Sequence, residues 1–191
     1  MPDTLILAST SPYRKALLER LRIPFRCIAP DFSELAASSI PPKELVRKNT
    51  LGKGRSVAHK YPGARVIASD QVAVFDQNIL GKPGTAEAAC RQLEMLSGKA
   101  VQFLTGLAII HGSQEVYECV PYEVQFRNLS KVEIRRYIEM DQPLNCAGSF
   151  KAESLGISLF EHMRGDDPTA LIGLPLIRLS HYLRPLAFDT N

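Results

Sequence analysis

The spacing of apolar and polar positions changes period several times along the chain, and each change marks an element. Leu5-Ile6-Leu7-Ala8 is a continuous apolar run that stops at Ser9-Thr10-Ser11-Pro12, the pattern of a buried strand entering a polar turn. From Arg14 the spacing becomes helical through Ala16, Leu17, Leu18 and Leu21, with Ser11 placed as N-cap and Pro12 as first helical residue. Phe25 to Ile28 predicts a second strand, and Pro30 to Pro42 a loop. Glu44 to His59 predicts a helix carrying Lys48, Lys53 and Arg55, weakened by Gly52 and Gly54. Val66-Ile67-Ala68-Ser69-Asp70 predicts a strand that delivers a carboxylate at its end, continuing extended from Gln71 to Phe75 into a hairpin turn at Asp76-Gln77-Asn78. Thr85 opens a helix to about Leu96, which Ser97-Gly98 closes. Val101 to Ile110 and Glu115 to Phe126 read as paired strands about a His111-Gly112 turn. Ser130-x-x-Glu133 is a capping box that starts a helix to about Met140. Asn145 to Leu159 reads as a Gly-punctuated loop and strand, and Leu171 to Leu183 as the closing helix.

Strands alternating with helices, and an antiparallel pair in mid-chain, predict an α/β fold: a mixed twisted sheet flanked by helices. With 191 residues and no repeat or clear linker, the expectation is one domain over 1–191, with two lobes around a cleft. Apolar residues at 45% and charged residues at 23% are ordinary for a globular protein. A net charge of +3 without a concentrated Lys/Arg run argues against a nucleic-acid partner and suits a small anionic ligand. Cys27, Cys90, Cys119 and Cys146 are scattered without CxxC spacing, so neither a disulfide frame nor a zinc site is expected. The first residues lack the basic region and cleavage site of a signal peptide. No apolar stretch approaches the roughly 20 residues of a membrane span. The expected location is the cytoplasm.

The candidate chemistry begins at the first turn. A strand, a Ser-rich turn and a helix N-terminus aim free backbone N–H groups and the positive end of the helix dipole at one spot, a geometry suited to phosphate. Ser9 and Ser11 add hydroxyls there, and Arg14 adds a planar fork for phosphate oxygens. A cation in that first turn opposes the dipole unless an anion binds, which separates Arg14 from an ordinary surface arginine. Lys53 and Lys82 supply further point charges from separate elements. Asp70, following an apolar strand, is placed to act as general base on water or to hold a divalent cation. The bland reading of Asp70 is a turn carboxylate capping an amide. His59, His111, His162 and His181 show no ligand spacing and read as surface residues.

Four pieces occur in order: Ser9-Thr10-Ser11-Pro12-Tyr13-Arg14-Lys15, Ser69-Asp70-Gln71, Gly81-Lys82-Pro83 and Ala147-Gly148-Ser149-Phe150-Lys151-Ala152-Glu153. As a set, from Leu5 to about Leu183, they closely resemble the Maf family of nucleotide pyrophosphatases. The resemblance implies a Maf/ITPase-like fold and hydrolysis of a nucleoside triphosphate between its α- and β-phosphates. It implies a divalent cation, Mg²⁺ or Mn²⁺, with Asp70 as proton acceptor. Glu34 matches an acidic family position associated with metal or water, and together with Asp70 forms the expected metal set. The family often has Asp-Glu there, whereas this chain has Ser33-Glu34, one carboxylate fewer.

Within the family, substrate choice follows the positions matching Tyr13, Gln71 and Glu153. The branch acting on dTTP and UTP usually has Arg and Gln where this chain has Tyr13 and Glu153. The branch similar to a 7-methyl-GTP pyrophosphatase has an aromatic residue, often Trp, and a Glu, with Gln beside the catalytic Asp. The chain also has that branch's Cys-Ala-Gly-Ser-Phe-Lys at 146–151. The chemistry agrees: N7-methylguanine is cationic, so an aromatic face gains a cation–π contribution of roughly 0.5–2 kcal/mol. A carboxylate can accept from the guanine N1–H and N2–H₂ edge, whereas a pyrimidine oxygen would face an unpaired acceptor. The expected reaction is 7-methyl-GTP to 7-methyl-GMP and pyrophosphate. The alternatives are dTTP/UTP or broad non-standard nucleotides, or a non-catalytic nucleotide-binding regulator of cell division. A homodimer is left open.

Overall fold

The computed structural model describes residues 4–36 and 40–188, with side chains described to residue 184. Residues 37–39 of the loop expected over 30–42 lie outside the described residues. The strands are β1 (Leu5–Ala8), β2 (Phe25–Ile28), β3 (Arg65–Phe75), β4 (Asn78–Leu80), β5 (Ala100–His111), β6 (Gln114–Phe126) and β7 (Phe160–Arg164). The helices are α1 (Pro12–Glu19), α2 (Pro42–Lys60), α3 (Ala86–Leu96), α4 (Lys131–Asp141) and α5 (Leu176–Phe188). The strand order is β2-β1-β3-β5-β6-β7, with β4 paired to β3. β1 runs parallel to β2 and β3, while β3/β4 and β6/β7 are antiparallel, so the sheet is mixed. The chain divides into two compact units, one of residues 1–71, 104–120 and 167–191, the other of residues 72–103 and 121–166.

In the first unit the strand period of two splits the core into two layers. Leu5, Leu7, Ile67, Leu107 and Ile109 pack with Leu17 and Leu18 of α1 and Leu176, Leu179 and Leu183 of α5. Ile6, Ala8, Val66, Ala68, Ala108 and Ile110 pack with Leu51 and Val57 of α2. Each fully buried aliphatic side chain contributes about 1.5–3 kcal/mol. The two glycines expected to weaken α2 are packing positions. A Cβ on Gly54 would lie 2.9 Å from Ile110 and 3.1 Å from Ala68, so Gly54 seats the helix on the sheet. A Cβ on Gly52 would lie 2.2 Å from the Phe32 ring, so Gly52 seats the loop before the helix. Helix propensity is given up here for close approach.

In the second unit, α3 is capped by Thr85 and α4 by the Ser130/Glu133 capping box, and the two helices pack together. Phe103, Phe126, Phe150 and Phe160 meet edge to face at 4.8–5.7 Å between ring centroids, the favoured arrangement for aromatic quadrupoles. The β3–β4 hairpin turns on Asp76 and Gln77 with φ of 47° and 62°, the left-handed pair that matches strand twist.

Two boundaries differ from expectation. Residues 145–159 hold short 3-10 turns, and the strand follows as β7 at Phe160–Arg164. Gly148 and Ser149 adopt φ of 80° and 60°, and a Cβ on Gly156 would lie 2.5 Å from the Lys151 carbonyl oxygen, so this stretch is folded on itself rather than extended. α5 begins at Leu176, not Leu171, because Gly173 takes φ 117° and Pro175 removes an N–H donor. The four cysteines are free thiols. No helix among the described residues is long and apolar enough to cross a membrane.

Candidate active site

The turn after β1 is built from its own hydroxyls. Ser9, buried, accepts the Ser11 N–H on Oγ at 3.1 Å. Ser11 is the α1 N-cap and accepts the Arg14 N–H on Oγ at 3.4 Å, with Pro12 in the first helical turn. The half-buried Arg14 donates Nε–H to the Gly173 carbonyl at 2.9 Å. Nε is the only guanidinium nitrogen of Arg14 hydrogen-bonded among the described residues, so the terminal nitrogens of the fork remain for an anion. Burial pulls the Arg14 guanidinium below its ordinary pKa, while the Asp70 and Glu34 carboxylates act the other way. An arriving phosphate would relieve that desolvation. Lys15 points outward, 3.8 Å from Glu19.

Asp70 is not at a strand end, as the sequence suggested, but in the middle of β3. The ladder between β1 and β3 ends at Leu7↔Ile67, so Asp70 lies beyond the carboxyl end of β1, the usual ligand side of a parallel α/β strand. It faces α2, whose buried stripe includes three polar residues, Asn49, Thr50 and Lys53. Lys53 Nζ sits 2.6 Å from Asp70 Oδ1 and 2.6 Å from Glu34 Oε1. The Lys53 and Asp70 side chains are 7% and 9% exposed, whereas Glu34 is 62% exposed. Asn49, one turn before Lys53, donates to Asp70 Oδ2 at 3.4 Å and exchanges two hydrogen bonds with the Leu35 backbone, N–H to Oδ1 at 2.9 Å and Nδ2 to carbonyl at 3.5 Å. One amide therefore links the buried carboxylate to the loop that bears Glu34.

The neighbours of Asp70 face the opposite way. Ser69 Oγ, fully buried, lies 2.7 Å from the Gly106 carbonyl and 2.8 Å from the Gly173 carbonyl. Gln71, expected to take part in substrate choice, points Nε2 at Ala170 O (2.7 Å), Leu171 O (3.1 Å) and Thr105 Oγ1 (2.9 Å). It holds the 170–173 turn. That turn is fixed at its base by buried Asp167, which accepts from Thr169 N–H and Oγ–H on Oδ1 and from the Ile177 and Arg178 N–H groups on Oδ2. Asn49, Thr105, Asp167 and Gly173 were not singled out by sequence, and Ser69 entered only as part of the Ser69-Asp70-Gln71 piece without a role of its own. Only Asp167-Pro168 carried a local signal, that of a turn opening.

Tyr13 is 39% exposed on α1. Lys82 and Glu153 lie in the second unit, both exposed. Glu153 belongs to a segment held by α4: Tyr137 Oη accepts the Lys151 N–H at 3.1 Å, and Ser154 Oγ donates to Asp141 Oδ1 at 2.6 Å. The four histidines take no part in these contacts. In the first unit the structure brings together Ser9, Ser11, Arg14, Glu34, Lys53 and Asp70: two cations, two carboxylates and two hydroxyls. No group of three or more His, Cys, Asp or Glu able to hold a metal occurs among the described residues. The two carboxylates, each with one oxygen on Lys53, fit a cation of the Mg²⁺ type, which takes one or two carboxylates and completes its shell with water and phosphate.

A Ser-lined helix N-terminus beside a buried Asp–Lys pair defines a protein built to handle an anionic substrate next to a carboxylate. The family described as Maf-like protein matches residues 4–186, and the chain belongs to that family. The protein named 7-methyl-GTP pyrophosphatase from Pseudomonas aeruginosa is 54% identical over 181 residues, covering 94% of each chain. The protein of the same name from Nitrosococcus oceani is 48% identical over 189 residues, 98% of this chain and 95% of that one. Among solved structures, the Staphylococcus aureus Ham1 protein is a distant likeness, with a TM-score of 0.45 and 17% identity over 65% of this chain and 71% of that one.

Proposed function

We propose that this protein is a nucleoside triphosphate pyrophosphatase that converts 7-methyl-GTP and water to 7-methyl-GMP and pyrophosphate. The observation that carries the reading is the Asp70–Lys53–Glu34 array beside the Ser9–Arg14 turn, in a chain about half identical to proteins of that name. Asp70 takes a proton from water as its oxygen bonds to the α-phosphorus, and the bond to the β-phosphate oxygen breaks. Lys53 orients Asp70 and offsets charge, and Arg14 and the Ser9 and Ser11 groups hold phosphate oxygens. Lys82 adds a further cation. The charges of Arg14, Lys53, Asp70 and Glu34 cancel, so a triphosphate, with several negative charges, calls for added positive charge. A Mg²⁺ or Mn²⁺ held by Asp70 and Glu34 would supply it by neutralising the departing pyrophosphate.

Glu153 is assigned the guanine N1–H and N2–H₂ edge, and Tyr13 the methylated, cationic ring. Gln71 is assigned the support of the 170–173 turn. A cytoplasmic location goes with a free nucleotide substrate. The test is turnover of purified protein on a nucleotide panel including 7-methyl-GTP, GTP, UTP and dTTP, with products resolved as monophosphate plus pyrophosphate. Asp70→Asn should abolish turnover and keep nucleotide binding, since Lys53 retains Glu34 as partner. Near-normal kcat in that variant removes Asp70 from the mechanism. Binding without turnover in the wild-type protein would favour the regulator instead.

A further inference from the structure

In the second unit, one side chain joins the turn that carries Lys82 to the segment that carries Glu153. Gln92, on α3, donates Nε2–H to the Gly81 carbonyl at 3.2 Å, and its Oε1 lies 2.5 Å from Ser149 Oγ. A carbonyl oxygen only accepts, so Gly81 fixes which end of the amide is nitrogen. The oxygen end must then receive the Ser149 proton. Ser149 is fully buried with φ 60°, a left-handed conformation that strains a residue with a Cβ and persists only where surroundings over-determine it. A second tie runs alongside, from the Gly84 N–H to the Leu144 carbonyl at 2.9 Å. Burial pushes the Cys146 pKa up, Glu153 and Asp141 add to that rise, and Lys151 and Lys82 oppose it.

We propose that Gln92 is a positioning residue that locks the Lys82 turn and the Glu153 segment in one register, fixing the distance between a phosphate-binding cation and a base-reading carboxylate. This rests on the roles given above to Lys82 and Glu153. Each end of the amide can be tested separately. Gln92→Ala breaks both ties. Gln92→Glu keeps an acceptor for Ser149 but sets a carboxylate against the Gly81 carbonyl, so it releases only the Lys82 turn.

The experiment measures kcat/KM on 7-methyl-GTP and UTP, with Tm, for wild type, Gln92→Ala, Gln92→Glu, Lys82→Ala and the double variant Gln92→Ala/Lys82→Ala. Gln92→Ala should lower kcat/KM about tenfold in the wild-type background and by a distinctly smaller factor without Lys82, where only the Glu153 segment is left to release, since a residue acting through another is not additive with it. Gln92→Glu should lower the rate on both nucleotides alike and keep their ratio, whereas Gln92→Ala should also shrink the ratio. A merely structural glutamine would lower Tm and cost the same factor in both backgrounds. That additivity, or an unchanged Gln92→Ala enzyme, overturns the proposal while leaving an impaired Lys82→Ala in support of the Lys82 reading. A silent Lys82→Ala overturns the Lys82 reading and, with it, the positioning role.

Discussion

Replacing Lys53 by Met keeps the aliphatic stem and removes the charge. Its partners then fare differently. Glu34, with a side chain 62% exposed, is rehydrated at little cost, so that half of the bridge contributes below about 1 kcal/mol. Asp70, with a side chain 9% exposed, keeps the Asn49 amide at 3.4 Å as its hydrogen-bond partner among the described residues, and the Arg14 guanidinium as a nearby charge. Leaving a buried charge unpaired costs about 3–5 kcal/mol, and the lower end applies because Asn49 remains. For a chain of this length, about 3 kcal/mol lowers Tm by about 6–12 °C. In an Asp70→Asn background no charge is stranded, and Lys53→Met should cost only about 1 kcal/mol. The pair should thus show a coupling of about 2 kcal/mol. The assay is urea unfolding at neutral pH of wild type, both single variants and the double variant. Equal losses in the two backgrounds, or a Lys53→Met protein within about 1 kcal/mol of wild type, would refute the argument that Lys53 compensates a buried Asp70 carboxylate.

Gly52→Ala places a Cβ 2.2 Å from the Phe32 ring, so the Glu34 loop must move while helix propensity improves; kcat/KM should fall about tenfold with stability within about 2 kcal/mol of wild type, read by turnover and Tm. Asp167→Ala strands four donors around the 167–173 turn and should cost about 2–3 kcal/mol in unfolding free energy, with weaker triphosphate binding because the Gly173 carbonyl no longer aims Arg14. Chelator should abolish turnover and added Mg²⁺ or Mn²⁺ restore it; full activity in excess chelator would mean that the Lys and Arg side chains suffice. Tyr13→Arg with Glu153→Gln should harm 7-methyl-GTP most and move preference toward UTP or dTTP, and an unaltered order of kcat/KM values would leave both residues as structural.

What the sequence made legible was local. Ser11 and Pro12, Thr85, and Ser130 with Glu133 are caps whose partners lie three residues away, and each helix starts where its cap predicts. The apolar run of β1 gave its bounds because continuous burial leaves one reading. Pairings over long separations left no such trace. Asn49 meets Leu35 and Asp70 across 14 and 21 residues, and Ser69 meets Gly173 across 104. A buried Asn inside a helical stripe looks like an interruption until its partners are known. Gly52 and Gly54 misled for the same reason: propensity counts their entropy, while the Phe32 ring and Ile110 that they admit come from elsewhere in the chain. Asp70 was expected at the end of an apolar strand, but strand ends are set by neighbours. β1 stops pairing at Ile67 while β3 continues to Phe75, and one sequence read alone cannot show a neighbour stopping.

The consecutive triplet Ser69-Asp70-Gln71 divides its work by the strand's period of two. Asp70 points to α2, where Lys53 and Asn49 wait one helical turn apart; Ser69 and Gln71 point to the 170–173 turn, whose Gly173 carbonyl also holds Arg14. A slip of one residue in β3 would exchange the two sets, driving the carboxylate into the apolar layer of Leu7, Leu17 and Leu174. The register that prevents this is the parallel pairing of Leu5, Ile6 and Leu7 with Arg65, Val66 and Ile67, where every apolar side chain is committed to one layer or the other. Burial of β1 therefore does more than stabilise the first unit. It decides which face of β3 receives the carboxylate, and so whether Asp70 meets the ammonium of Lys53 or faces apolar side chains without a partner.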